Sequence, residues 1–152
     1  MSKRIVIADD EPITRMDISE ILMEEGYEVV GTVSDGLSAV EISKKVNPDL
    51  IVMDISMPVL DGLEASKTII EEGITNCIII ITEQNIEELI DAGDEIGIMG
   101  YVAKPISEKK LLATIETAIF KSKNMKSNRR YMNNIDEKWM EKVGYVETQV
   151  TM

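Results

Sequence analysis

The 152-residue sequence contains no histidine, which excludes histidine catalysis, histidine metal ligands and an internal phosphohistidine. Its single cysteine, Cys77, excludes a disulfide framework and fits a reducing compartment. Aromatic residues make up only 4% of the chain, so aliphatic side chains must fill the core. The apolar segment Ile5–Ala8, which follows Lys3 and Arg4, is too short for a signal peptide or a membrane span. We therefore expect a cytoplasmic protein without a membrane partner.

Negative charge dominates the chain but is unevenly distributed. Residues 1–120 carry 9 basic and 24 acidic side chains, whereas residues 121–152 carry 7 basic and 4 acidic side chains. The net charge of −12 makes nucleic acid an unfavourable partner for the whole chain, because phosphate backbones attract lysine and arginine. The change of sign predicts a domain over residues 1–120 and a carboxyl-terminal extension over residues 121–152.

Five apolar runs alternate with amphipathic stretches, a pattern typical of a parallel sheet covered by helices. Pro12 and Ser107 are placed to begin two of the helices, and Gly26 and Gly73 to end two. The alternation predicts right-handed crossovers and a doubly wound α/β fold. The predicted strands are Arg4–Ala8, Glu28–Val33, Leu50–Asp54, Cys77–Thr82 and Gly100–Ala103.

Polar side chains stand at the carboxyl ends of these strands. Asp9 and Asp10 end the first strand, Asp54 the third and Thr82 the fourth, and Lys104 follows the fifth. In an open parallel sheet ligands bind at this edge, so we expect these groups to converge. Gathered carboxylates repel one another unless a cation lies among them, and a hard divalent ion such as Mg²⁺ prefers oxygen ligands. Lysine and hydroxyl groups suit the oxygens of a phosphoryl group.

The sequence resembles the receiver domains of two-component response regulators over residues 3–120. The resemblance implies a flavodoxin-like sheet of strand order 2-1-3-4-5 with helices on both faces. Each matching segment alone is a weak signal, and the four together, in the order and spacing of the family, are a strong one. The segments are Ala8-Asp9-Asp10-Glu11-Pro12, Val52 to Gly62 with Met57-Pro58 and Asp61-Gly62, Ile81-Thr82, and Gly100-Tyr101-Val102-Ala103-Lys104-Pro105.

The resemblance implies that a histidine kinase or a phosphotransfer protein supplies a phosphoryl group to Asp54. It implies that Mg²⁺, or Mn²⁺, is bound by Asp10, by Asp54 and by the backbone carbonyl of Ser56, with Asp9 reaching the ion directly or through water. A chain of this kind accepts and hydrolyses its own phosphoryl group rather than turning over a separate substrate.

The resemblance also implies roles around the acceptor. Lys104 would pair with a phosphoryl oxygen, and Thr82 would reorient to hydrogen-bond another. Tyr101 would turn inward when Thr82 moves and would repack the surface made by the fourth helix, the fifth strand and the fifth helix. The bond before Pro105 is a candidate cis peptide.

One residue departs from the family pattern. Glu83 follows Thr82 where the family commonly has a small residue, and a carboxylate there would repel an incoming phosphoryl group or alter its hydrolysis. Ser56 and Gln84 are also expected near Asp54, where they could change how long the phosphoryl group stays on that residue.

The segment at residues 24–31 resembles the receivers of ANTAR-type transcription antiterminators, but we recognise no ANTAR module in the extension. Residues 121–152 instead predict a helix that docks or dimerises, with an apolar stripe of Met132, Ile135, Trp139 and Val143. Two alternatives stay open at this point. One is an antiterminator that binds RNA through the extension, and the other is an unphosphorylated pseudo-receiver that acts as a binding module.

Overall fold

A computed structural model describes residues 2–124, and these residues form a five-stranded parallel sheet ordered β2-β1-β3-β4-β5. This confirms the predicted doubly wound fold and its strand order. β4 begins one residue later than the predicted Cys77, although the Cys77 carbonyl still accepts a hydrogen bond from the Ile51 N–H at 3.0 Å. The strands are β1 Arg4–Ala8, β2 Glu28–Val33, β3 Leu50–Asp54, β4 Ile78–Thr82 and β5 Gly100–Ala103.

Helices connect the strands, and three of them, α2, α3 and α4, begin at a side chain that caps the helix. The side chains of Asp35, Asp61 and Asn85 each accept a backbone hydrogen bond at the start of a helix. A fifth helix, α5, begins at residue 108 and is helical to residue 124, where the described range ends. The other helices are α1 Pro12–Glu24, α2 Gly36–Val46, α3 Gly62–Glu71 and α4 Ile86–Ile96.

The core lies in two layers because the strand side chains alternate between the faces of the sheet. On one face, β-strand residues such as Ile5 and Ile79 pack with Leu22 of α1 and Ile115 of α5. On the other face, the intervening residues pack against α2, α3 and α4, including Val40, Ile69 and Leu89. The strands β3 and β4 are buried along their whole length, as their continuous aliphatic runs predict.

The internal contacts divide the chain into two units, Met1–Ile119 and Phe120–Met152. The predicted apolar stripe of the extension, from Met132 to Val143, lies outside the described residues. The basic pair Arg129 and Arg130, which would serve RNA binding by the extension, also lies outside the described residues. Within the described part of the chain, no helix combines the length and the apolarity needed to cross a bilayer.

The chain reverses its direction of travel across the sheet between β1 and β3, so the carboxyl ends of these strands border a crevice. The loop that leaves β3 is held close to its own strand. The Gly62 N–H donates to the Ile55 carbonyl at 2.9 Å, and a Cβ at position 62 would overlap the backbone carbonyl of Asp54. Only glycine therefore allows α3 to start this close to the end of β3.

We expect Gly62→Ala to lower the free energy of unfolding by about 1–3 kcal/mol, because the new methyl group must push rigid backbone aside. Urea unfolding at equilibrium measures this difference. Lys67→Ala, at an exposed position on the same helix, is the matched control and should stay within about 0.5 kcal/mol of the wild type. Equal destabilisation by the two substitutions would show that the close contact at Gly62 is unimportant.

Candidate functional site

Asp54 is the last residue of β3, a strand that lies between β1 and β4. It is only 2% exposed, which is unusual for a carboxylate. The sheet continues past it, since the Ile55 N–H donates to the Ile81 carbonyl at 3.2 Å. The backbone therefore fixes where this buried acid stands.

Asp9 and Asp10 follow β1 and differ in their surroundings. Asp9 is fully buried and is held by its backbone N–H, which donates to the Val33 carbonyl at 3.0 Å. Its Oδ1 accepts from the Glu11 N–H at 2.8 Å, and its carbonyl accepts from Arg15 Nη1 at 2.6 Å. Asp10 is exposed to solvent. One acid of the pair is therefore rigid and buried, and its neighbour is accessible.

Lys104 follows β5 and brings a positive charge to the two buried acids. Its backbone N–H donates to the Thr82 carbonyl at 2.8 Å, which ties it to the end of β4. Its Nζ lies 2.9 Å from Asp9 Oδ2 and 3.5 Å from Asp54 Oδ1, and its side chain is only 8% exposed. A third carboxylate is nearer still, because Glu11 Oε1 lies 2.8 Å from the same Nζ.

These side chains surround one small cavity at the carboxyl edge of the sheet. Asp9, Asp10 and Asp54 each offer a carboxylate oxygen, and the three oxygens lie within 4.8 Å of one another. The cavity measures about 230 Å³. It is lined by Asp10, Glu11, Asp54, Ser56, Glu83 and Lys104. The structure thus brings Asp9, Asp10, Asp54 and Lys104 together, as the sequence pattern predicts.

The charges of this cluster do not balance. Burial raises the pKa of Asp54 to about 6, and the neighbouring Asp9 carboxylate acts in the same direction, while Lys104 opposes the shift. Burial lowers the pKa of Lys104, but the hydrogen bonds to Glu11 and Asp9 outweigh it, so the pKa of this lysine is raised. Near neutral pH the lysine is therefore a fixed cation beside an excess of negative charge.

The cluster fits a hard divalent cation. Asp9 Oδ2 is buried, and the cation beside it is Lys104 Nζ at 2.9 Å. That ammonium also faces Glu11 and Asp54, so one positive charge is shared among three carboxylates and negative charge remains uncompensated. The available donors are all oxygen atoms, which is the donor set preferred by Mg²⁺ and Mn²⁺. The residues present are therefore suited to hold such an ion.

Comparison with known proteins decides the family. A family model described as the response regulator receiver domain matches residues 5–116, about three quarters of the chain. The chain belongs to the response regulator receiver family. The transcriptional regulatory protein PdtaR of Mycobacterium tuberculosis is 40% identical over 117 residues, which cover 77% of this chain and 57% of PdtaR. The receiver therefore spans little more than half the length of this curated relative.

Solved structures resemble the receiver over nearly their whole length. The response regulator domain of CheB from Thermotoga maritima is 30% identical with a TM-score of 0.73, covering 78% of this chain and 97% of that domain. A complex of CheX with CheY, BeF₃ and Mg²⁺ from Borrelia burgdorferi contains a chain that is 28% identical with a TM-score of 0.70. That match covers 74% of this chain and 86% of the other.

Three further predicted residues lie at the rim of the receiver's cavity or beside it. Ser56 and Glu83 line the cavity and are exposed. Gln84 does not line it, but its Nε2 donates to Ser56 Oγ at 3.4 Å. Gln84 therefore bridges the loop after β4 to the loop after β3, two residues beyond Asp54.

Thr82 and Tyr101 do not line this cavity. Thr82 is fully buried, and its Oγ1 accepts a hydrogen bond from the Gln84 N–H at 2.9 Å. The Tyr101 hydroxyl donates to Asp94 Oδ1 at 3.1 Å and contacts α4 at Gly93, where a Cβ would overlap it. The tyrosine therefore rests against α4, and burial together with Asp94 raises its pKa.

The structure adds residues that the sequence analysis did not single out. Glu11 pairs with Lys104, and Arg15 holds the Asp9 carbonyl. The acidic run Asp9-Asp10-Glu11 was the available signal for Glu11, since a third acid directly before α1 emerges at the same edge. No pattern in the sequence pointed to Arg15. The peptide bond between Lys104 and Pro105 is cis.

The raised pKa of Asp54 predicts how the stability of the receiver depends on pH. The ordinary pKa of 3.8 holds in the unfolded chain, and the folded value is about 6. The contribution of Asp54 to the free energy of unfolding is thus fully present below pH 3.8, where the acid is protonated in both states. It is lost as the pH rises through about 6. Asp54→Asn should therefore be more stable than the wild type by up to about 3 kcal/mol near neutral pH.

Urea unfolding with a chelator present measures this difference, which should disappear at a pH below 3.8. Asp91→Asn, at an exposed position of α4, is the matched control and should show no such gain. Equal stability of Asp54→Asn and the wild type near neutral pH would contradict the raised pKa.

Proposed function

We propose that this receiver accepts a phosphoryl group on Asp54 from a histidine kinase or a phosphotransfer protein. The phosphorylated receiver would then change its contacts with a partner protein. The observation that carries the proposal is a nearly buried aspartate that opens onto a cavity shared with Asp10 and Lys104. Membership of the receiver family supports the same chemistry.

The transfer would use a carboxylate oxygen of Asp54 as the nucleophile. That oxygen forms a bond to the phosphorus of a phosphohistidine, the P–N bond breaks, and the electron pair remains on the imidazole nitrogen of the donor. The acceptor must be ionised to attack, so a pKa of about 6 keeps most of it reactive at neutral pH. Its fixed place at the end of β3 supplies the positioning that phosphoryl transfer requires.

Lys104 and Thr82 would contact the transferred group. The Lys104 ammonium lies 3.5 Å from Asp54 Oδ1, so a phosphoryl group on that side chain falls within its reach. Thr82 ends the neighbouring strand, and its hydroxyl would have to leave the Gln84 N–H to donate to a phosphoryl oxygen. Phosphorylation would thereby change the loop that follows β4.

A magnesium or manganese ion would be held by Asp9, Asp10 and Asp54 and by the backbone carbonyl of Ser56. When bound, such an ion neutralises negative charge on the carboxylates and on the phosphoryl oxygens. Mg²⁺ in the similar CheY complex from Borrelia burgdorferi supports this choice of metal. The residues themselves would orient the acceptor oxygen.

Tyr101 would report the change at Thr82 to the outer surface. Its ring lies on β5 beside α4, and its hydroxyl is held by Asp94. An inward movement would break that hydrogen bond and would alter the surface of α4, β5 and α5. We infer that this surface meets the partner, and a second copy of the chain is one candidate.

We further propose a cytoplasmic location and an activity limited to self-phosphorylation and autophosphatase turnover. The pseudo-receiver alternative is disfavoured, because Asp9, Asp10, Asp54 and Lys104 are all present and adjacent. The alternative of RNA binding depends on residues 121–152, most of which lie outside the described residues. A role in transcription is supported by the similarity to PdtaR, a transcriptional regulatory protein.

We expect incubation with acetyl phosphate and Mg²⁺ to add one phosphoryl unit to the wild type and none to Asp54→Asn. Intact-mass measurement reads the result directly. Asp10→Asn should be labelled at least about tenfold more slowly at low Mg²⁺, because a neutral amide replaces an accessible carboxylate ligand. Asp17→Asn, an exposed acid on α1, is the control that removes the same charge. Labelling of Asp54→Asn, or no labelling of the wild type, would contradict the proposal.

Glu83→Ala should be labelled by acetyl phosphate about two- to tenfold faster than the wild type, since it removes a negative charge from the wall of the cavity. The decay of the aspartyl phosphate, followed by the same mass measurement, shows whether hydrolysis changes as well. Glu88→Ala, an exposed acid of α4 that does not line this cavity, is the control. Unchanged rates of both labelling and decay would mean that Glu83 does not act on the site.

A further inference from the structure

The carboxylate nearest to the Lys104 ammonium belongs neither to the acceptor nor to the strand-end pair. Glu11 Oε1 lies 2.8 Å from Nζ, compared with 2.9 Å for Asp9 and 3.5 Å for Asp54. The ammonium is thus engaged by two carboxylates other than the one that the proposed reaction modifies. Two ion pairs leave one of the three N–H groups for a phosphoryl oxygen, and release of one pair would let the ammonium move closer to that oxygen.

Glu11 is placed to be that releasable partner. It occupies the position directly before α1, where a side chain commonly caps the helix, but within the described residues it forms no such capping bond. Its side chain instead crosses to Lys104 at the end of β5 and is 52% exposed. Asp9, by contrast, is fully buried and fixed by three hydrogen bonds. Of these two carboxylates, only that of Glu11 can swing into water.

We propose that Glu11 is a positioning residue that holds Lys104 away from the acceptor oxygen of Asp54 and thereby slows phosphoryl transfer. The inference rests on the proposed function, because it concerns the rate of that same reaction. When the phosphoryl group arrives, Lys104 exchanges Glu11 for a phosphoryl oxygen, and Glu11 moves into solvent. The cost of that exchange is part of the barrier.

Two substitutions separate this role from a simple effect of charge. Glu11→Gln removes the charge and keeps the length of the side chain. Glu11→Asp keeps the charge but shortens the side chain by one methylene, and aspartate at this position can also cap α1. The shorter side chain and the capping bond would both keep the aspartate carboxylate away from Lys104, while the net charge stays constant.

We expect both variants to be labelled by acetyl phosphate and Mg²⁺ about two- to fivefold faster than the wild type, the range that loss of a half-exposed ion pair allows. Glu20→Gln, which neutralises an exposed acid of α1, is the matched control and should be labelled at the wild-type rate. A faster rate in Glu11→Gln with a wild-type rate in Glu11→Asp would overturn the inference, since charge alone would then explain the change.

A second measurement observes the ion pair without any reaction. In protein carrying ¹⁵N-labelled lysine, the Nζ resonance of Lys104 should shift in Glu11→Asp and stay in place in Glu20→Gln. An unshifted resonance would overturn the inference. If no variant is labelled, both this inference and the proposed function fail. If all variants are labelled at one rate, this inference alone fails.

Discussion

The site depends on an imbalance of charge that the fold imposes and does not relieve. Four acids, Asp9, Asp10, Glu11 and Asp54, stand around a single ammonium, and two of the four are buried. Burial and then the neighbouring Asp9 carboxylate disfavour the charged form of Asp54, and the raised pKa of this acid expresses that cost. The rest of the chain must supply the stability that this arrangement consumes. The continuous aliphatic layers on both faces of the sheet are the obvious source.

The geometry of the sheet explains why the acids cannot avoid one another. Parallel strands end at the same edge, and β1 and β3 are direct neighbours, so the residues that follow them are held about one strand spacing apart. Thr82 ends β4, and its carbonyl accepts a hydrogen bond from the Lys104 N–H. This bond fixes the position of the Lys104 backbone. Asp9, Asp54 and Lys104 are therefore positioned by backbone pairing, and their side chains have only short distances left to span.

This is why the sequence alone predicted much of the site. Continuous runs such as Ile78–Ile81 identify buried parallel strands, and the residue that ends each run must lie at the functional edge. The contact of Tyr101 with Gly93, by contrast, depends on the rotation of α4 about its own axis, and no local pattern records that angle. A glutamate directly before α1 can either cap the helix or form an ion pair with Lys104. The sequence does not indicate which of these two contacts Glu11 makes.

A site with spare negative charge is suited to a switch. If Lys104 neutralised Asp54 alone, the pair would form a stable buried ion pair, and an incoming phosphoryl group would have to break it. Because the lysine is shared among three carboxylates, its 3.5 Å contact with Asp54 is the loosest of the three. Asp54 lines the cavity, and the same excess of negative charge would attract a divalent cation. An arrangement that is unfavourable for the resting protein would therefore lower the cost of binding a divalent cation, and in the proposed reaction that cation would offset the negative charge of the phosphoryl group.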